Sequence, residues 1–526
     1  MRRLATSAIA FALACDESAP PPGPAAADPH ADTHADCASC HAEEAARWAE
    51  SHHARAQSTV VDPSRFAGQR VQGGELVATV ELADGQPVVR VKDGAGDSQY
   101  AVIATIGVTP LQQYLLDGPG GRLLVAPIAF DVARGQWFDP APDGAEADPG
   151  EELHWAGLAG TWNHQCATCH VTGFDKGFDI GTHSYASEWL AEGVGCVACH
   201  GSPPRAARDA RAQLDTCSGC HSLRRPLACD AAPGKAFLDQ FRPAVGDSTA
   251  FGADGRLVAP VEGFEWGSWA QSKMAAKGVR CTDCHDPHGG APPGNDRCRA
   301  CHSAPPATEN HGVEADCVGC HMPTATFMGV HVRHDHGFKV PGREANVEVF
   351  RAARVGDESA RESLMQIVAG TGAPAFARAT AAAYLRRYAP SGPELTRLGS
   401  LSRDPDALVR AEVATTLGAW GAPAIPGALL RDAVRAVRFA AVEAFVTAGG
   451  DVSLVKQDYD AVVAEYAQLA ACDGDVPGNH LALGRLHAAA GRRGEAVTAF
   501  RALLQVEPGS AIGSRALKLL GEPPGQ

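Results

Sequence analysis

Fourteen of the 17 cysteines fall in seven copies of a single pattern, Cys-x-x-Cys-His, and nothing else in the chain limits its possible folds as strongly. The copies are Cys37, Cys40 and His41; Cys166, Cys169 and His170; Cys196, Cys199 and His200; Cys217, Cys220 and His221; Cys281, Cys284 and His285; Cys298, Cys301 and His302; and Cys317, Cys320 and His321. Random placement of this composition would give about 0.02 copies. Two thiols at this spacing can bond the two vinyl groups on one side of a porphyrin, and the adjacent His then reaches the iron as proximal ligand. Each copy therefore marks one covalently attached c-type haem, seven in all. Zinc ribbons also pair CxxC motifs, but they need no His after every second Cys, and a disulfide framework has no use for that His at all.

The motifs share the 285 residues from Cys37 to His321. A compact domain of about 300 residues has a radius of gyration near 19 Å, so the macrocycles must lie close together and can pass electrons between them. Aromatic residues make up only 6% of the chain, a thin supply of large side chains, and the haems are expected to fill part of the core. A formal charge of −15 without any Lys or Arg run excludes a nucleic-acid groove and favours small basic redox proteins as partners.

Fourteen histidines lie outside the motifs. His30 and His34 belong to a Pro- and Ala-rich leader, and His480 and His487 to a distant helical region, which leaves His52, His53, His154, His164, His183, His288, His311, His331, His334 and His336 as candidates for sixth iron ligands. The strongest choices are one of His52 and His53, with His154, His288, His311 and His336. Met274, Met322 and Met328 could ligate too, but Met322 sits two residues past a haem Cys, and the other two are expected to pack in the core. Cys229 and Cys472 have no motif context and read as inert thiols.

The N-terminus has Arg2 and Arg3, an apolar stretch from Leu4 to Ala14, then Cys15. Eleven such residues are too few to span a bilayer but suit a signal peptide over residues 1–14, followed by a linker over 15–35. Ala12-Leu13-Ala14-Cys15 resembles a bacterial lipobox, with Ala12 where Leu, Val or Ile is usual; Ala12 and Ala14 also fit an ordinary Ala-x-Ala cleavage site. The expectation is an exported, periplasmic or cell-surface protein anchored through a lipidated Cys15, with simple secretion as the alternative.

The resulting fold class is multidomain. A mostly α seven-haem domain over residues 36–347 carries a small β insertion at about 64–139, where alternating stretches such as Glu75 to Leu82 are broken by Gly and Asp turns. An α-solenoid follows. Segments starting at Phe376, Leu408 and Ala436 align with offsets of 32 and 28 residues and resemble HEAT-type repeats over 348–455. Gly484, Ala488, Gly491, Ala496, Phe500 and Pro508 look like a tetratricopeptide repeat within 456–526. This region is expected to serve as a cap over the haems or a docking surface for redox partners, and to be dispensable for haem attachment.

Several phrases resemble a family of bacterial multihaem cytochromes with doubled CxxCH motifs and tetratricopeptide repeats, related to tetrahaem cytochromes and pentahaem nitrite reductases. They include SHHARA from Ser51, PLQQYLL from Pro110, LHWAG from Leu153, GVRCTDCHDPH from Gly278, CVGCHMP from Cys317 and DHGFKVP from Asp335. The resemblance covers about Cys37 to Val347 and implies functional roles for His52 or His53, His154, His288, His311 and His336. Such proteins often carry a further CxxCH after the DHxF phrase, and none follows His321 here. Every motif ends in His, without the Lys-terminated variant that often marks the catalytic haem in pentahaem nitrite reductases. Electron transfer is therefore favoured over a reductase of nitrogen or sulfur oxyanions, for which Lys273, Lys277 and Arg280 are the nearest basic cluster, and over a haem-bearing assembly scaffold.

Overall fold

The computed structural model describes residues 34–141, 147–148, 151–201, 210–256, 264–290, 294–302, 316–340 and 346–523. The expected signal peptide, Cys15, His30 and His311 lie outside them. Among the described residues no helix is long and apolar enough to cross a membrane.

An antiparallel sheet occupies residues 57–138. Its strands are β1 (Gln57–Ser58), β2 (Gln69–Gly73), β3 (Leu76–Ala83), β4 (Gln86–Asp93), β5 (Gly96–Ile106), β6 (Leu111–Asp117), β7 (Leu123–Val125), β8 (Ala129–Asp131) and β9 (Gln136–Phe138). The order is β2-β3-β4-β5-β6-β8-β9, with β1 on β5 and β7 on β6. Asp84 and Gly85, both at positive φ, close the β3–β4 hairpin as a two-residue turn whose twist suits the strands it joins. Ala78 and Val80 pair with Val91 and Val89, and all four side chains join Tyr114, Leu116, Phe66, Phe130 and Trp137 in one core. Ala104, Ile106 and Leu115 pack on the other side against Trp162, Ala167 and Val171. The sheet thus seats the second motif directly, because Cys166–His170 lies within the segment that it buries.

The expectation of a mostly α haem domain does not hold for the described residues, whose N-terminal part is β-rich. Helices there are short, most of four or five residues, the longest being Ala210–Cys220. The reason is local: a CxxCH motif needs only one helical turn to bring its donors together, and the intervening chain runs in loops and two-stranded ribbons.

From Val347 the chain is helical. Helices Ala375–Leu385, Ala407–Ala419 and Arg435–Thr447 contain the three aligned segments and pack side by side. Small residues allow the approach: a Cβ on Gly418 would meet the Cβ of Ala444 at 2.5 Å. Helices Pro477–Ala489 and Arg493–Val506 form the next pair, with Gly484 beneath the Phe500 ring.

One apolar cluster takes side chains from both sides of residue 347. Leu227, Phe237, Phe241 and Phe251, from the motif-bearing half, share one apolar cluster with the helices as far as Leu486. Arg242 pairs with Glu412 at 2.9 Å and Arg386 with Asp247 at 2.7 Å across the same junction. Cys229 and Cys472, expected to be inert thiols, form a disulfide with a Cα–Cα distance of 6.0 Å. Packing of residues 223–256 onto the helices brings together two cysteines that are 243 residues apart.

Candidate functional site

Each motif is built on one turn of helix. His41, His170, His221, His285 and His302 donate their backbone N–H to the carbonyl of the first Cys of their own motif at 2.8–3.1 Å. An i, i+3, i+4 spacing then puts both thiols and the imidazole on one side of the turn. None of the 14 motif cysteines is in a disulfide, and all are half-buried or exposed. Among the described residues the one close group of three or more Cys, His, Asp and Glu donors is His164, Asp473 and Asp475, which includes no motif residue.

The motifs adjoin one another. Cys37 and Cys196 hydrogen-bond through their thiols, and burial followed by the Cys37 charge pushes Cys196 up. The Cys220 thiol donates to Cys169, which is held at about 6 mainly by that bond. Cys217 is lowered chiefly by its hydrogen bond from Cys281 and also senses Cys199. Cys298 is raised by burial, then by Cys317 and Cys284. These neighbours link all seven motifs into a branched series.

Three motif histidines face a histidine from elsewhere. Ring centres are 6.2 Å apart for His221 and His53, 6.2 Å for His200 and His288, and 6.1 Å for His285 and His336. Two imidazoles on opposite sides of one iron have Fe–N bonds of about 2 Å and ring centres about 1.1 Å beyond each nitrogen, which predicts a separation of about 6.2 Å. The spacing fits a bis-histidine haem in all three cases.

The local structure holds these rings in place. Val194 N–H donates to the His53 carbonyl at 2.8 Å, and Trp48 Nε1 donates to the Val194 carbonyl at 2.9 Å. Gly193, at positive φ, lies so close under the Ala54 carbonyl that a Cβ would come within 2.3 Å of it. His53 Nδ1 lies 3.1 Å from the Pro287 carbonyl, next to His288. His170, His321, His334 and His336 direct Nδ1 at the carbonyls of Ala56, Lys339, Met322 and His334 at 2.8–3.0 Å. With Nδ1 so engaged, Nε2 is the nitrogen left for a metal. His221 instead meets Glu265 Oε2 at 3.3 Å. That bond raises the His221 pKa against the opposing effect of burial; burial would raise Glu265 in turn, but the hydrogen bond and charge of His221 hold it at about 2.

Other expected positions differ. His52 is exposed, so the choice between His52 and His53 falls on His53. His154 is buried, but Nδ1 accepts from Ala156 N–H at 3.2 Å and Nε2 lies 3.5 Å from Asp93, leaving neither nitrogen disposed towards a motif. His164 meets Asp475 at 3.2 Å through Nδ1. Lys273 and Lys277 are exposed, and Arg280 is paired with Asp283 at 2.6 Å, as befits a solvated face. Glu265 was not legible at all, since no spacing ties it to a motif.

The surroundings also fit a large apolar cofactor. Between Phe251 and Phe350 the only buried apolar side chain among the described residues is Phe327, although three motifs and the facing histidines His288 and His336 lie in that span. A segment so poor in its own core suits one packed around porphyrins, which its three Cys pairs would hold with the motif histidines towards iron.

Covalent-haem motifs, matched imidazole pairs and a segment with little apolar core of its own are the features expected of a c-type cytochrome, whose haem would supply electron transfer. Residues 36–77 and 146–201, under a fifth of the chain, match the family model described as cytochrome c554 and c-prime. The first three motifs, His52, His53 and His154 lie within the matched segments. The chain has no match among the curated proteins or the solved structures.

Proposed function

We propose that the protein is a seven-haem c-type cytochrome that conducts electrons outside the cytoplasm. The observation that carries this is the set of three imidazole pairs at 6.1–6.2 Å, each joining a motif histidine to a distant one. On this reading His53, His288 and His336 are the sixth ligands of the fourth, third and fifth haems, and the contiguity of the motifs lets electrons pass from edge to edge. A disulfide between Cys229 and Cys472 supports an oxidising compartment. A lipidated Cys15 would keep the haems near a membrane surface, and the helical array, HEAT-like and then tetratricopeptide-like, offers redox partners a docking face.

Intact mass of the denatured protein should show seven haem increments, and four or fewer in fully matured protein would sink the proposal. Cys15→Ser should release the protein from the membrane fraction. One observation favours a second reading, reduction of a small nitrogen or sulfur oxyanion: both His154 nitrogens are engaged elsewhere, which leaves one fewer sixth ligand for the remaining irons. Ferric spectra decide between them. A conductor has all or nearly all irons low-spin, whereas a reductase shows a stoichiometric high-spin haem that shifts on adding nitrite, hydroxylamine or tetrathionate and sustains turnover.

A further inference from the structure

The short helix Glu265–Trp269 touches two of the paired histidines at once. Trp266 N–H donates to the His221 carbonyl at 3.0 Å, and Ser268 Oγ accepts the His336 backbone N–H at 3.1 Å. The Trp266 ring is fixed between Phe237, 5.0 Å away, and Phe376 of the helical array, 6.0 Å away. This anchorage places Glu265 Oε2 against His221 Nδ1. The Nδ1 atoms of His53, His170, His321, His334 and His336 meet backbone carbonyls instead. Asp286 lies 3.6 Å from His288 Nδ1, beyond hydrogen-bond range, and is paired with Arg47 at 2.5 Å.

We infer that Glu265 is a positioning residue that lowers the reduction potential of the haem held by Cys217, Cys220 and His221, making it harder to reduce than the haems whose ligands donate to carbonyls. The inference rests on the proposed ligation of that haem by His221 and His53. A carboxylate accepting Nδ1–H draws the proton away from the ring and makes Nε2 a stronger donor, which stabilises ferric over ferrous iron. The thiol of Cys217 adjoins Cys281 and that of Cys220 adjoins Cys169, so this haem stands where the series branches. A low potential there favours passing electrons on along either arm over holding them.

The test is spectroelectrochemical titration of the full-length, fully loaded protein beside its Glu265→Gln and Glu265→Asp variants. In Glu265→Gln one couple should become easier to reduce, with the ferrous-to-ferric ratio at fixed potential rising at least tenfold, which is about 59 mV for one electron. Glu265→Asp should move the same couple less. Equal shifts in all couples, or none above twofold in either variant, would overturn the inference. If Glu265→Gln fails to take up seven haems, Glu265→Asp must move that single couple alone or the inference falls. His53→Ala separates the two layers of the argument: it should convert one haem to high spin, and if every iron stays low-spin the ligation itself is wrong, whatever Glu265 does.

Discussion

The helical array and the stretch from Glu265 to Val340 differ in what holds them together. In the array Phe439, Tyr459, Tyr466 and Leu398 are all fully buried, within a cluster that needs nothing beyond protein. In the stretch containing the last three motifs, Phe327 is the one deeply buried apolar side chain among the described residues. At roughly 25 cal/mol per Å² of buried apolar surface, the first can offset its ordering entropy and the second cannot. The difference teaches that the same chain combines a core built from protein alone with a segment whose core, on the proposed reading, its haems complete.

The strongest way to break this comparison is to withhold haem. Protein made with all seven Cys pairs changed to Ser should lose protease resistance across residues 264–340, while a helical fragment containing 347–523 stays protected and keeps its far-ultraviolet helical signal. Uniform resistance along the whole chain would remove the distinction between the two regions.

The disulfide ranks next. Cross-linking Cys229 to Cys472 closes a loop of 243 residues, for which the chain-entropy model gives about 5 kcal/mol. Cys229→Ser with Cys472→Ser should lower the unfolding midpoint of the helical region by several degrees in calorimetry, and an unchanged midpoint would show that the apolar junction suffices alone. Phe439 tests the interior of the array: it is fully buried and stacked on Tyr466 at 4.6 Å. Phe439→Ala should cost about 3–5 kcal/mol in denaturant unfolding. Leu454→Ala, at a side chain that is 80% exposed, should cost under about 0.5 kcal/mol.

These contrasts follow how much could be seen beforehand. The motifs were legible because haem attachment demands fixed local spacing, and the sheet because alternation and the Asp84-Gly85 turn are local signals too. The three aligned helical segments were legible for the same reason. What depends on distant chain coming together was not. Nothing near Cys229 announces Cys472, and nothing near Glu265 announces His221. Among the candidate ligands, His53, His288 and His336 proved to face motif histidines, whereas His154 is occupied by Asp93 and Ala156, a distinction set by tertiary packing. The mostly α expectation failed because attachment motifs bring helical turns without bringing helices.

The smallest expected effect at neutral pH lies where residues 164–185 meet the helical array. Lys176 is ion-paired with Asp473 and, at 2.8 Å, with Asp475; Tyr185 donates to Asp475 at 3.0 Å, and His164 approaches it at 3.2 Å. Asp475 is almost fully buried, and burial alone would raise its pKa, but His164 and Lys176 together bring it well below the ordinary carboxylate range. The charged form is therefore favoured in the folded protein, so its stabilisation is complete above an unfolded pKa of about 3.9 and is lost as pH falls through the lower folded value. Lys176, raised by Asp473 and Asp475 against its own burial, behaves in the opposite sense: its contribution is complete below about 10.4 and is lost as pH rises through the higher folded value. Hydrogen exchange at residues 172–185 and 473–480 should then stay flat, after correction for intrinsic rates, between pH 5 and 8 and accelerate below about pH 4, ahead of residues 407–447. Acceleration within the neutral range would assign the pH response of the junction to a group other than Asp475 and Lys176. Asp475→Asn should abolish the acid step while leaving Lys176 paired with Asp473 alone, and an acid step that persists in this variant would assign it to other carboxylates.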